Sequence, residues 1–219
     1  MTQHAFIKRA IAALKKRDKA FDLFGADFHE YELNAPLTEA DVAAFEQRYA
    51  VRLPADYRNF LIYAGNGGAG PHYGVFRLGE TENGDGTSLP WRAGKYGAAL
   101  RQPWPHRAPW NLREEWEDTL SLPDETRHAA RTEWDARYSD PAMVTGAFPI
   151  CNLGCGLRDW LMVTGPEAGH VWRDARAEVG GLIPYEREDG HRWTFMDWYL
   201  HWLNGALRTF NVKFAVPLP

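Results

Sequence analysis

The sequence predicts an α+β domain, and three observations carry that prediction. Both ends hold apolar residues at helical spacing: Phe6, Ile7, Ala10, Ile11 and Leu14 early on, and Phe195, Trp198, Trp202 and Leu203 near the finish. Between 147 and 174 the pattern changes to short apolar runs separated by turn residues, as strands require. The chain has 219 residues, 45% apolar and 25% charged, so it can bury a core without disulfides or metal.

The elements follow in order. Residues 3–17 read as an amphipathic helix. Lys8, Arg9, Lys15, Lys16 and Arg17 lie largely opposite its apolar stripe or in its last turn, where cations complement the helix dipole. Residues 28–33 alternate weakly and read as a short strand. Thr38 caps the next helix with Asp41 in a box-like role, and Val42, Phe45 and Tyr49 follow at helical spacing. Another helix begins at Pro54, whose missing N–H is no loss in a first turn. It carries Tyr57, Phe60 and Leu61, and Gly65 ends it. Residues 73–78 read as a strand and 80–86 as an acidic turn. Two helices, 112–121 and 124–138, precede strands at 147–153, 159–164 and 170–174. The Gly-Pro-Glu-Ala-Gly turn at 165–169 joins the last two as a hairpin. Thr194 and Asp197 repeat the box-like start for the closing helix, and 211–219 form a short tail that can supply an edge strand.

Charge and composition exclude several function classes. The net charge is −4 and the pI about 6.1, which disfavours nucleic acid and anionic membranes and suits a basic protein partner. No run approaches the roughly 20 apolar residues of a membrane span. Residues 1–24 lack the apolar region and cleavage site of a secretory signal, which points to the cytoplasm. Two cysteines, Cys151 and Cys155, do not make a secreted disulfide framework.

Catalytic motifs fail on context. Gly65, Gly67 and Gly70 spell G-x-G-x-x-G, but a helix precedes them and a strand follows, the reverse of a dinucleotide site. The run therefore reads as a sharp turn into a sheet. Cys151 and Cys155 lack the second ligand pair of a structural zinc site. Neither G-x-S-x-G nor H-E-x-x-H occurs. Glu114, Glu115, Glu117 and Asp118 read as a solvated helix face. No catalytic, cofactor-binding or metal-ligating residue is expected.

The least ordinary stretch is rich in proline and tryptophan, within a chain of 10 Trp. It includes Pro90-Trp91, Pro103-Trp104-Pro105 and Pro109-Trp110. Trp91, Trp104, Trp110, Trp116 and Trp134 either pack an accessory subdomain onto the core, the favoured reading, or form an exposed recognition surface.

Two runs carry a resemblance. Leu37-Thr38-Glu39-Ala40-Asp41-Val42-Ala43-Ala44-Phe45-Glu46 and Leu53-Pro54-Ala55-Asp56-Tyr57-Arg58-Asn59-Phe60-Leu61, followed by the glycine turn and strand of 65–78, resemble the SUKH superfamily. That superfamily includes fungal cell-wall assembly regulators and bacterial toxin-immunity proteins. Residues 150–174 and the aromatic helix at 198–203 are similar to its later section. Residues 88–146 depart from its short members and look like an insertion within a single domain of residues 1–219. The resemblance implies a central, mostly antiparallel sheet with helices packed against it, and a helical Pro/Trp-rich insertion. It also implies protein binding without shared catalytic residues.

The leading expectation is an immunity protein that occludes a toxin domain, a basic one fitting the acidic chain. Candidate contacts are Glu80, Glu82 and Asp85 beside the strand end, with Trp91, Trp104 and Trp110 in the insertion. A housekeeping scaffold or regulator of the same fold is the alternative. The third reading is an enzyme whose pocket would gather Cys155, a histidine and a carboxylate.

Overall fold

The structure, a computed structural model, describes residues 2–82, 88–91 and 98–213. Helix α1 (Gln3–Arg17) forms as its apolar stripe predicts. Thr2 caps it, and Phe6, Ile7, Ala10, Ile11 and Leu14 are buried. The strand expected at 28–33 does not form. One helical turn, α2 (Ala26–His29), stands there, bracketed by left-handed Gly25 and Glu30, and Leu33 alone bridges to Gly68. Helix α3 (Glu39–Tyr49) begins with the full Thr38/Asp41 capping box. Pro54 is the N-cap of α4 (Ala55–Asn59), and a π-helical turn at Phe60–Ala64 follows, closed by the Gly65 amide donating to the Phe60 carbonyl at 3.0 Å.

The glycine run does turn the chain towards the sheet. The Asn34 amide donates to the Gly67 carbonyl, and Gly68 exchanges both backbone bonds with Val75. Gly67 has φ +74°, and a Cβ there would lie 2.5 Å from the Val75 carbonyl oxygen, so the turn needs glycine. The strand expected at 73–78 is reduced to a bridge. Val75 meets Gly68 on one side and Cys151 on the other.

Strands β1 (Glu80–Glu82) and β2 (Ser88–Pro90) form a two-stranded antiparallel hairpin. Helices α5 (Arg113–Leu120) and α6 (Asp124–Tyr138) follow. The main sheet is antiparallel in the order β3 (Ala147–Gly154), β4 (Leu157–Met162), β5 (Val171–Asp174), β6 (Leu182–Pro184). Helix α7 (Phe195–Thr209) closes the fold behind a second full capping box, Thr194 with Asp197. Residues 214–219, most of the expected edge-strand tail, lie outside the described residues.

Both faces of the main sheet are covered. Phe148, Leu161 and Val171 point into the larger core, shared with α1, α4 and α7. Their neighbours Ala147, Trp160, Met162 and Trp172 point the other way, as strand alternation requires, and meet Trp104 and Leu182. Trp104 and Trp110 of the Pro/Trp-rich stretch supply that second layer. Trp104 lies edge-on to Trp172 at 5.3 Å, and Trp110 stacks on Tyr138, which stacks on Trp134. Trp110 also exchanges backbone bonds with Leu182, extending the β6 edge.

Candidate functional site

The sheet register places one buried charge pair next to a cavity. Asp159 on β4 lies directly opposite Arg173 on β5, both on the face towards α7. Asp159 is fully buried. Trp198 Nε1 donates to its Oδ2 at 2.9 Å, and the Tyr185 hydroxyl donates to the carboxylate at 3.0 Å. Arg173 Nε stands 3.6 Å from Oδ1, and the guanidinium also donates to the Tyr185 hydroxyl. Burial pushes the Asp159 carboxyl up to about 6, against the pull of Arg173, Trp198 and Tyr185. The Tyr185 hydroxyl is raised too, by burial and then by the Asp159 charge.

This network supports one wall of a cavity of about 350 Å³, lined by Leu23, Phe24, Pro71, His72, Arg173, Tyr185, Trp193, Trp198, His201 and Trp202. Trp193 stacks on Tyr185 at 5.4 Å and meets His201 at 4.5 Å. Burial, then the charge of Arg173, lowers the His72 pKa and favours its neutral form. The cavity opens beside an aromatic ridge. Phe28 lies edge-on to Tyr73 at 4.5 Å, and Phe24 contacts Tyr73 at 5.3 Å and His72 at 5.9 Å. Phe24 and Phe28 are each 60% exposed. A cavity with aromatic walls and a few fixed polar groups, continuous with exposed rings, has the make-up of a binding site.

The ridge is held by backbone. Gly25, at φ +78°, packs so closely on the 72–73 segment that a Cβ would lie 1.9 Å from the His72 carbonyl oxygen. Sequence reasoning missed the ridge because the weak alternation of 28–33 suggested a strand. The signal that could have exposed it is Gly25 between two phenylalanines.

The residues singled out from sequence sit elsewhere. Glu80 and Glu82 are the ends of β1, with Glu80 half-buried and its carbonyl accepting from Trp91 Nε1 at 2.9 Å. Asp85 lies outside the described residues. Trp91 is buried against Phe45, Tyr49 and Phe148 in the larger core. Trp104 is buried in the smaller core, and Trp110 is half-buried at its margin. Among these residues, then, Trp91 and Trp104 pack the protein's interior. Cys155 is exposed at the β3–β4 turn, while Cys151 is buried with its thiol donating to the Pro71 carbonyl. Among the described residues no group of three or more His, Cys, Asp or Glu side chains could hold a metal, and no helix is long and apolar enough to cross a membrane.

Neither curated proteins nor solved structures provide a match to the chain. A family model does match. It spans residues 36–178, more than half of the chain, from the approach to α3 past β5, and it runs through the Pro/Trp-rich stretch. Of the cavity lining, Pro71, His72 and Arg173 fall within that span, whereas Leu23, Phe24 and all residues from Tyr185 onward lie outside it. The matched model is that of the SMI1 / KNR4 family (SUKH-1), and the chain belongs to that family.

Proposed function

We propose that this protein is a non-catalytic, cytoplasmic immunity protein that binds a toxin domain and neutralises it by occlusion. Its family includes both immunity proteins and regulators, and protein binding is common ground between them. The observation that carries the reading is the exposed ridge of Phe24 and Phe28 beside an aromatic cavity. Rings left in water in this way contribute most when a partner covers them. The acidic residues singled out from sequence, Glu80, Glu82 and Asp85, add a second contact that steers a basic partner, and Trp110 lies at a half-buried margin. Trp91 and Trp104 act from beneath, by holding the hairpin and the second layer in place. We read the stretch 88–146 as an insertion in a single domain; its Trp104 and Trp110 pack on the outer face of the sheet.

Co-expression tests the reading. Cells producing the toxin domain encoded beside this protein should survive when this chain is supplied at equal stoichiometry. Persistent killing, or a neighbour that is harmless by itself, refutes the immunity role. Poor growth of a deletion strain with no toxin present would instead favour a housekeeping regulator of the same fold.

A further inference from the structure

We propose that the ridge of Phe24, Phe28 and Tyr73, with the cavity behind it, is the docking face for a basic protein segment that inserts one aromatic side chain. The proposal rests on the protein-binding reading and assigns its surface and the chemistry of the partner.

Three observations converge on this occupant. First, the cavity is built for a ring. Trp193, Trp198, Trp202 and Tyr185 line it, and its volume of about 350 Å³ lies at the lower end of the range for ligand pockets, suiting one inserted side chain. Edge-to-face and offset contacts with such walls add to the area an aromatic anchor buries. Second, the ridge extends the surface well beyond the cavity mouth. Phe24 lines the mouth, and Phe28, 60% exposed, offers apolar area that a ligand confined to the cavity leaves in water. Third, the segment that carries the ridge is acidic on balance. Residues 20–47 contain no Lys or Arg, and Asp22, Asp27 and Glu30, which flank the ridge in sequence, are all exposed. Lys15, which reaches this segment, is paired with Glu32. The cation in the cavity, Arg173, is matched by buried Asp159. A second copy of this chain would set like charges against one another, which disfavours self-association through this face. Encounter with a basic segment is favoured by the same charges.

The test uses the full chain and three capped pentapeptides, followed by calorimetry and by the indole N–H resonances of the protein. The probe has a central tryptophan flanked on each side by two lysines. One control replaces the tryptophan with alanine, and the other replaces the lysines with glutamates. The probe should bind about ten-fold more tightly than either control, a margin of about 1.4 kcal/mol. It should shift the indole signals of Trp193 and Trp202 and weaken as salt is raised. The Phe24→Ala/Phe28→Ala double variant, altered only at exposed positions, should keep its melting temperature and lose about ten-fold in affinity for the probe. Equal or tighter binding of the glutamate peptide overturns the proposal. So does equal binding of the alanine peptide, unchanged binding by the double variant, or no saturable shift at millimolar peptide. Sedimentation that reveals a dimer abolished in the double variant would seat a second copy on the face and also overturn it. Co-expression separates the two readings. If the double variant still protects against the toxin, the face is wrong and immunity stands. If peptide binding holds but the wild-type chain does not protect, immunity fails and the face stands.

Discussion

Replacing Asp159 and His29 separately should expose two buried titrations that oppose each other across mildly acidic pH. Asp159 has its carboxyl raised from 3.8 to about 6, chiefly by burial. Between those values the folded protein holds a proton that the unfolded chain has released. Its contribution is therefore most favourable below pH 4 and falls as pH rises through 6, by about 3 kcal/mol. His29, the buried last residue of α2, is lowered from 6.5 to about 4, again chiefly by burial. Here the unfolded chain takes up a proton that the folded state refuses. That contribution is complete above pH 6.5 and is lost as pH falls towards 4, also by about 3 kcal/mol. In the wild-type chain these two slopes largely cancel. Urea unfolding at several pH values between about 4 and 7 should separate them in Asp159→Asn and His29→Asn. The advantage of wild type over Asp159→Asn should shrink by about 2–3 kcal/mol across that range, while its advantage over His29→Asn should grow by about 3 kcal/mol. Arg173 stays charged throughout, so the loss of its partner in Asp159→Asn adds a constant offset and no slope. Differences that stay flat, or that run in the same direction for both variants, refute the assignment of these groups as buried and desolvated.

Three further outcomes follow from the packing. Trp104→Ala should cost about 3–5 kcal/mol in urea unfolding, because it empties the centre of the second core; a cost typical of surface positions would place that ring outside it. Tyr199→Phe should cost about 1–3 kcal/mol, since the Tyr199 hydroxyl donates at 2.7 Å to the carbonyl of fully buried Ala69, which would be left unpaired. Gly25→Ala should cost about 1–3 kcal/mol for its left-handed backbone alone, with the collision at the His72 carbonyl added, and should displace the Phe24/Phe28 ridge. Thermal unfolding measures the first effect, and altered contacts between the Phe28 and Tyr73 rings in nuclear Overhauser spectra measure the second.

The parts of the fold that were legible in the sequence are governed by near neighbours. The capping boxes at Thr38/Asp41 and Thr194/Asp197 need residues three apart, so they were readable and they formed. The stripe of α1 and the β4–β5 hairpin depend on periodicity and turn chemistry within about twenty residues, and they formed as well. Other elements depended on distant partners. Strand β6 has three residues and no local signal; it exists because Trp172, Arg173 and Asp174 pair with it on one side and Trp110 bridges to it on the other. The strand expected at 73–78 gave way because Val75 is held between the Gly68 turn and Cys151.

The candidate site shows the same division. Its charge pair comes from residues fourteen apart, opposed by strand register, and Trp198 and Tyr185 join from the far end of the chain. Nothing in the spacing of Asp159 and Arg173 announces that pairing. By itself, the sequence determined the class of fold, the caps and stripes of its helices, the family resemblance and a net negative charge. The tertiary structure decided which aromatics are buried and which are offered to solvent. It put Trp91 and Trp104 inside, because both sheet faces must be covered, and it left Phe24 and Phe28 outside, because Gly25 locks their turn against His72. A ring buries itself equally well in a core or in a partner, so composition alone cannot separate the two, and the surrounding backbone does.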